Sequence, residues 1–380
     1  MKDEPTGGAM LGETERALDR LEHRVARRIA ALPPSVQVRL SGKPPVQIDG
    51  DTLAPEMQLS LALLEWRGAQ SLETMSVAEA RRTRRRIAAV SAGRPEPVGA
   101  VRDLEIDTDV PLRARHYAPQ EWGGPHPLLV FFHGGGFVYG DLDSHDGLCR
   151  LLCRHAGAHV LAVDYRLAPE NHFPAAVEDA RAALGWAFAN AVGLDADPAR
   201  VGVGGDSAGG NLAAVASQLA VRGPGPSPVL QLLIYPALDG TGRHRSRELF
   251  DEPFLPSRAH LDWFEAHYLG AARSLRTDPR VSPLLAEDFS GLPPTLVMTA
   301  AFDPLRDEGE AYAEALRAAG IEATVRRFSG LMHGFASATG VSLRCRDAVV
   351  EIAGATRWMF AQARRRDMLE STRSDALLIE

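Results

Sequence analysis

The sequence predicts an α/β protein with a mostly parallel sheet covered by helices on both faces. Two observations carry this expectation. From about residue 100 onward, short apolar runs recur between turn signals, at the length of buried strands rather than helices. Between most of these runs lie alanine-rich segments of helical length, such as AAVEDARAALGWAFA, and strands alternating with helices build parallel sheets. A chain of 380 residues accommodates one large domain of this kind with a smaller appendage.

Taken in order, residues 12–31 carry leucine, isoleucine and valine at helical spacing among charges, ending before Pro33 and Pro34. Residues 1–45 are therefore expected to form an N-terminal helical extension. Residues 46–95 hold two further helices, an amphipathic one at 55–67 and a basic one at 77–90. LEID and LRARHY then read as a hairpin. Buried strands are expected at 128–132 (LLVFF), 160–165 (VLAVDY), 201–205 (VGVGG), 230–235 (LQLLIY), 295–300 (TLVMTA) and 323–328 (ATVRRF). The alternation breaks at about residues 239–292, a long insertion carrying Phe250, Phe254, Trp263, Phe264 and Tyr268. Insertions of that length in compact folds are often functional lids. It is assigned, with residues 46–95, to a cap over a catalytic domain spanning 96–366, followed by a C-terminal tail at 367–380.

Composition excludes several function classes. The formal net charge is −7 and lysine occurs only at Lys2 and Lys43, which leaves no electrostatic footprint for nucleic acid. The run Arg81-Arg82-Thr83-Arg84-Arg85-Arg86 has no interleaved aromatics and reads as a solvated helix face. The three cysteines, Cys149, Cys153 and Cys345, are too few and too oddly spaced for a disulfide framework or a zinc site and read as buried, inert thiols. No apolar run reaches membrane-spanning length, and the first 30 residues fit neither a secretory signal nor a transit peptide. A cytoplasmic location is expected.

Three features at the ends of expected strands carry chemistry, where open α/β sheets place their ligands. Gly205-Asp206-Ser207-Ala208-Gly209 is a GxSxG pentapeptide between a strand and a helix. By itself the pattern is weak and fits a glycine-rich helix start. In this context it fits a sharp turn that projects the Ser207 hydroxyl above the sheet. His133-Gly134-Gly135-Gly136-Phe137 follows the LLVFF strand, and consecutive glycines there let backbone N–H groups stabilise an oxyanion, joined by the N–H of Ala208. His133 itself reads as a loop-organising side chain. Among 12 histidines, His333 follows the last strand, and Asp303 lies just past TLVMTA. The order Ser, Asp, His is the one this arrangement uses. Asp307 and Glu308 compete for the acid role but lie a turn further on.

With HGGGF, DYRLAPEN, FPAAVED, GDSAGGN, DPLRDEG and HGF in place, the chain resembles the hormone-sensitive-lipase family of α/β-hydrolases, in its bacterial carboxylesterase branch, over roughly residues 50–365. The resemblance implies an α/β-hydrolase fold with a helical cap. It implies Ser207, Asp303 and His333 as catalytic triad and Gly135, Gly136 and Ala208 as oxyanion donors, and it marks residues 164–179 as a scaffold motif. It further implies hydrolysis of short- to medium-chain carboxylic esters, a small-molecule ester as substrate, no metal or organic cofactor, and a homodimer. Phe137, Asp206, Phe254 and Trp263 are expected at the substrate pocket. An amidase, lactonase or deacetylase uses the same machinery, and a ligand-binding receptor on this fold is the alternative from another class.

Overall fold

A computed structural model describes residues 7–68, 70–120 and 125–377, with side chains described for 18–68, 70–120 and 125–365. The N-terminal part is helical: α1 (Gly7–Ala30), α2 (Pro34–Ser41), α3 (Pro55–Trp66) and α4 (Val77–Ala92). Two-residue strands β1 (Gln47–Ile48) and β2 (Asp51–Thr52) pair between α2 and α3. Ser76 caps α4, accepting the Glu79 backbone N–H while Glu79 reaches back to the Ser76 N–H, a reciprocal arrangement that satisfies two orphan donors. α1 is held to α4 by His23 Nδ1, 2.7 Å from Val90 O, and by Arg86 with Glu22 at 2.7 Å.

The main sheet has eight strands: β3 (Ala100–Ile106), β4 (Leu112–Ala118), β5 (His126–Phe132), β6 (His159–Asp164), β7 (Ala196–Asp206), β8 (Gln231–Ile234), β9 (Thr295–Phe302) and β10 (Ala323–Met332). Their order is β10-β9-β8-β7-β5-β6-β4-β3. Every neighbouring pair from β10 to β6 is parallel, and only the β6–β4 and β4–β3 pairs are antiparallel, so β4 alone runs against the other strands. Each strand expected from the sequence is present, and LEID and LRARHY lie in the β3–β4 hairpin.

Helices connect the parallel strands and cover both faces. α5 (Asp146–Ala156) and α11 (Leu343–Leu377) pack on one side, and α6 (Ala175–Asn190), α7 (Ala208–Arg222) and α10 (Arg306–Ala318) on the other. Period-two geometry divides each strand between the two cores. On β5, Leu129 and Phe131 join the core beneath α5 and α11, while Leu128, Val130 and Phe132 join the core beneath α6 and α7. Strands buried on both faces have no polar side, which is why these runs are continuously apolar. α11 continues through Leu377, into the stretch expected as a tail.

The segment 239–292 holds α8 (Ser246–Leu249) and α9 (Arg258–Leu269) together with short 3₁₀ turns. It is tied to the body by Arg247, which forms a 2.7 Å ion pair with the fully buried Glu308 at the start of α10. Glu308 Oε1 also accepts the Leu238 N–H at 2.7 Å.

The arginine run on α4 is largely the exposed face expected of it, with residues Arg82 to Arg86 open to solvent, but Arg81 is half-buried. Arg81 Nε donates to Val138 O at 2.8 Å, its Nη2 to Ala168 O at 2.9 Å, and the same guanidinium pairs with Glu170. Arg85 pairs with Asp141 at 2.6 Å, and Arg84 lies over the Tyr139 ring. Arg81, Arg84 and Arg85 thus tie α4 to the loops after β5 and β6, a role that helical spacing alone does not reveal. No described helix is long and apolar enough to cross a membrane.

Candidate active site

Ser207 sits between the end of β7 and the first turn of α7 with φ 55° and ψ −118°. A non-glycine residue in that region costs about 1–3 kcal/mol and persists only where its surroundings over-determine it. They do so here. The Ser207 N–H donates to Ile234 O at 2.8 Å, and its carbonyl accepts from Asn211 N at 3.1 Å and Ala237 N at 3.2 Å. Gly209 passes so close to β5 that a Cβ would collide with the Phe132 carbonyl oxygen, which accounts for the last glycine of the pentapeptide.

The strand ends bring the acid and base to this serine. His333 Nε2 is 2.9 Å from Ser207 Oγ, and His333 Nδ1 is 2.8 Å from Asp303 Oδ2. A carboxylate oxygen only accepts, so the ring proton belongs on Nδ1, leaving Nε2 to accept from the serine hydroxyl. Asp303 is fully buried, and its other oxygen accepts the Leu305 N–H at 2.8 Å. The competing acids face elsewhere. Glu308 is bound to Arg247, and Asp307 accepts from Arg306 and from the Ser246 N–H.

The glycine loop is seated on Asp206, the residue before the serine. Gly135 and Gly136 have φ of +122° and +59°, and the Gly135 carbonyl accepts from Val138 N and Tyr139 N. Gly134 N–H is committed to Asp206 Oδ1 at 2.9 Å. Ala208 opens α7, where a backbone N–H has no acceptor within its own helix. His133 organises the loop from below. Its Nδ1 is 2.9 Å from Gly134 O, its ring stacks on Tyr165, and the Tyr165 hydroxyl donates to its carbonyl at 2.8 Å. Burial pushes its pKa down to about 4. The motif at 164–179 props the same loop, since Ala168 N donates to Phe137 O at 2.9 Å and Arg166 grips buried Asp179 at 2.7 Å.

The four residues expected at the pocket are placed differently from one another. Phe137 stacks on Tyr268 with ring centres 3.8 Å apart, and Trp263 packs beside Phe264 and His267. Phe254 lies in the core against Phe250 and Phe302, and Asp206 is buried beneath the glycine loop. Besides Tyr268, the aromatic of α9 that meets the loop is Phe264. A Cβ on Gly136 would run into its ring, and Tyr139 meets it edge-on at 5.4 Å. Nothing in the sequence separates Phe264 from its aromatic neighbours, because the contact depends on how α9 is laid across the sheet.

A strained serine, a histidine and a buried aspartate at the strand ends of a mostly parallel sheet define the arrangement of an α/β serine hydrolase. Residues 129–337 match the family model described as the alpha/beta hydrolase fold. The chain is 50% identical over 303 residues to the carboxylic ester hydrolase LipN of Mycobacterium tuberculosis, covering 78% of this chain and 80% of that protein. It is 37% identical over 293 residues to the ethyl acetate hydrolase of Pseudomonas putida, covering 75% and 92%. Among solved structures it is similar to the ester hydrolase EH1AB1 from the metagenome of Lake Arreo, with a TM-score of 0.78, 40% identity and coverage of 81% of this chain and 99% of that one. The chain belongs to the α/β-hydrolase family, in its hormone-sensitive-lipase-like branch.

Proposed function

We propose that the protein is a carboxylic ester hydrolase that cleaves short- to medium-chain esters through an acyl-enzyme on Ser207. The observation that carries this reading is the unbroken chain from Ser207 Oγ through His333 to Asp303, at 2.9 and 2.8 Å, beside the turned-back glycine loop. His333 Nε2 takes the Ser207 proton as Oγ attacks the acyl carbon. The oxyanion that forms is met by the N–H groups of Gly135, Gly136 and Ala208. A donor of this kind is typically worth about 3 kcal/mol in the transition state.

As the tetrahedral species collapses, the bond to the alkoxy oxygen breaks and His333 delivers its proton to the departing alcohol. Water then gives a proton to His333 while attacking the acyl-enzyme, and collapse returns that proton to Ser207 with release of the acid. Asp303 holds the imidazole in the tautomer both steps need and stabilises its charged form. Residues 46–95 and 239–292 serve as the cap. Phe264 lying on Gly136 narrows the space above the oxyanion loop, which favours small acyl or alcohol groups.

The experiment is hydrolysis of p-nitrophenyl butyrate by the wild type and by Ser207→Ala, with labelling by a fluorophosphonate. The expected result is turnover and a single covalent adduct on Ser207 in the wild type, and loss of both in a variant of unchanged melting temperature. Wild-type turnover by Ser207→Ala would overturn the reading.

A further inference from the structure

We propose that His145 and Asp206 form a buried charge pair that positions the oxyanion loop against the nucleophile and thereby sets the rate of the chemical step. The inference rests on the serine esterase reading and adds to it two positioning residues that do not touch substrate.

Asp206 immediately precedes Ser207, is almost wholly buried, and touches the oxyanion loop directly. Its Oδ1 accepts the Gly134 N–H at 2.9 Å and lies 3.4 Å from His145 Nε2. Its Oδ2 accepts from the Tyr235 hydroxyl at 3.4 Å. The loop rests directly on this carboxylate, since a Cβ on Gly134 would meet both Asp206 Oδ2 and its carbonyl oxygen. The next two residues are Gly135 and Gly136, whose N–H groups the esterase reading assigns to the oxyanion. Tyr235, held at φ 35°, lays its ring 4.6 Å from that of His333. One carboxylate thus reaches the oxyanion loop directly and the ring of the base through Tyr235.

A carboxylate so buried requires a counter-charge. The titratable groups facing the pair come from several elements. They are His133 on the loop, with its ring 5.3 Å from that of His145, Asp141 in the turn before α5, Cys149 on α5, Tyr165 after β6 and Tyr235 after β8. None of them is a permanent cation, so the positive charge falls to His145. Its ring is anchored by Ser144 Oγ, 3.0 Å from Nδ1. Burial opposes charge on both partners, yet attraction prevails. His145 is held above its ordinary pKa by Asp206, and Asp206 below its own by His145.

The fixed donor of the loop is therefore set by a charge rather than by packing alone. A displacement of about 1 Å in a catalytic group can cost about 100-fold in rate. In the paired state the loop is locked. Once His145 loses its proton, the buried carboxylate is uncompensated and the loop is free to shift.

The test compares His145→Gln and Asp206→Asn with the wild type on p-nitrophenyl butyrate. The expected result is a fall in kcat of about 10- to 100-fold with KM within about twofold. Wild-type kcat should decline on the alkaline side as His145 deprotonates, and that limb should be absent from His145→Gln. His145→Lys, which keeps a cation, should recover part of the rate. Unchanged kcat in His145→Gln, or a raised KM at unchanged kcat, would overturn the proposal. If the variants do not fold, a wild-type kcat that stays flat on the alkaline side overturns it. Failure of the wild type to hydrolyse the ester or to be labelled at Ser207 would instead remove the esterase reading, so the two failures are distinguishable.

Discussion

Ser207 Oγ and His333 Nε2 stand 2.9 Å apart although 126 positions separate them in the chain. The contact exists because β7 and β10 end at the same edge of the sheet, and Asp303 closes it from the end of β9. Asp303→Asn retains the size of the side chain but presents an amide that can donate to His333 Nδ1, favouring the wrong tautomer. The expected outcome is a fall in kcat of about 10⁴-fold with little change in KM, measured on p-nitrophenyl butyrate.

Gly209→Ala places a methyl group against the Phe132 carbonyl oxygen. Backbone rather than a flexible side chain is in the way, so β5 or α7 has to move. A loss of about 3 kcal/mol or more is expected by urea unfolding, accompanied by slower fluorophosphonate labelling of Ser207.

Phe264→Ala removes the ring that lies on Gly136. Discrimination against bulky groups in an apolar pocket is worth about 1–3 kcal/mol per methylene. A series of p-nitrophenyl esters should therefore show kcat/KM rising about tenfold for octanoate relative to butyrate. An unchanged ratio would mean that the acyl chain runs elsewhere.

Glu308→Gln leaves Arg247 buried beside a neutral amide. Breaking a buried pair by removing one partner typically costs about 3–5 kcal/mol, and urea unfolding should report a loss of that order. The remaining folded enzyme should keep its pH profile, because Glu308 faces Arg247 and Leu238 rather than His333.

His116 on β4 and His159 on β6 stack with Nε2 and Nδ1 2.9 Å apart, and burial lowers the pKa of each to about 4. Unfolding restores both to about 6.5, so between these values the unfolded chain binds more protons than the native one. Stability should thus be full above about pH 6.5 and fall as the pH drops towards 4. The melting temperature should fall over that window by several degrees, and His116→Gln should soften the decline.

The strands of the sheet were legible because burial on both faces leaves a continuous apolar run of strand length. The meeting of Ser207, His333 and Asp303 was legible because fold topology fixes where strand ends lie, and each of the three follows one. His145 was not. It lies in SHDGL, a stretch with no periodicity of its own, and it matters only because α5 begins beside the nucleophile turn. Arg81 reads as solvated in the sequence because two of its partners, Val138 O and Ala168 O, are backbone atoms that leave no trace in composition. Phe264 and Phe254 are alike in sequence, but Phe264 rides on α9 to the glycine loop while Phe254, ahead of α9, packs into the core against Phe250 and Phe302.

Cys149, Cys153 and Cys345 are all buried, and burial raises the pKa of each thiol, the last two to about 12. A thiol kept protonated and out of reach is silent towards alkylating reagents. Maleimides and iodoacetamide should leave the native enzyme unmodified, so a single cysteine introduced on an exposed position of α9 would carry a spectroscopic probe selectively. Movement of the cap during turnover then becomes measurable in the otherwise native sequence.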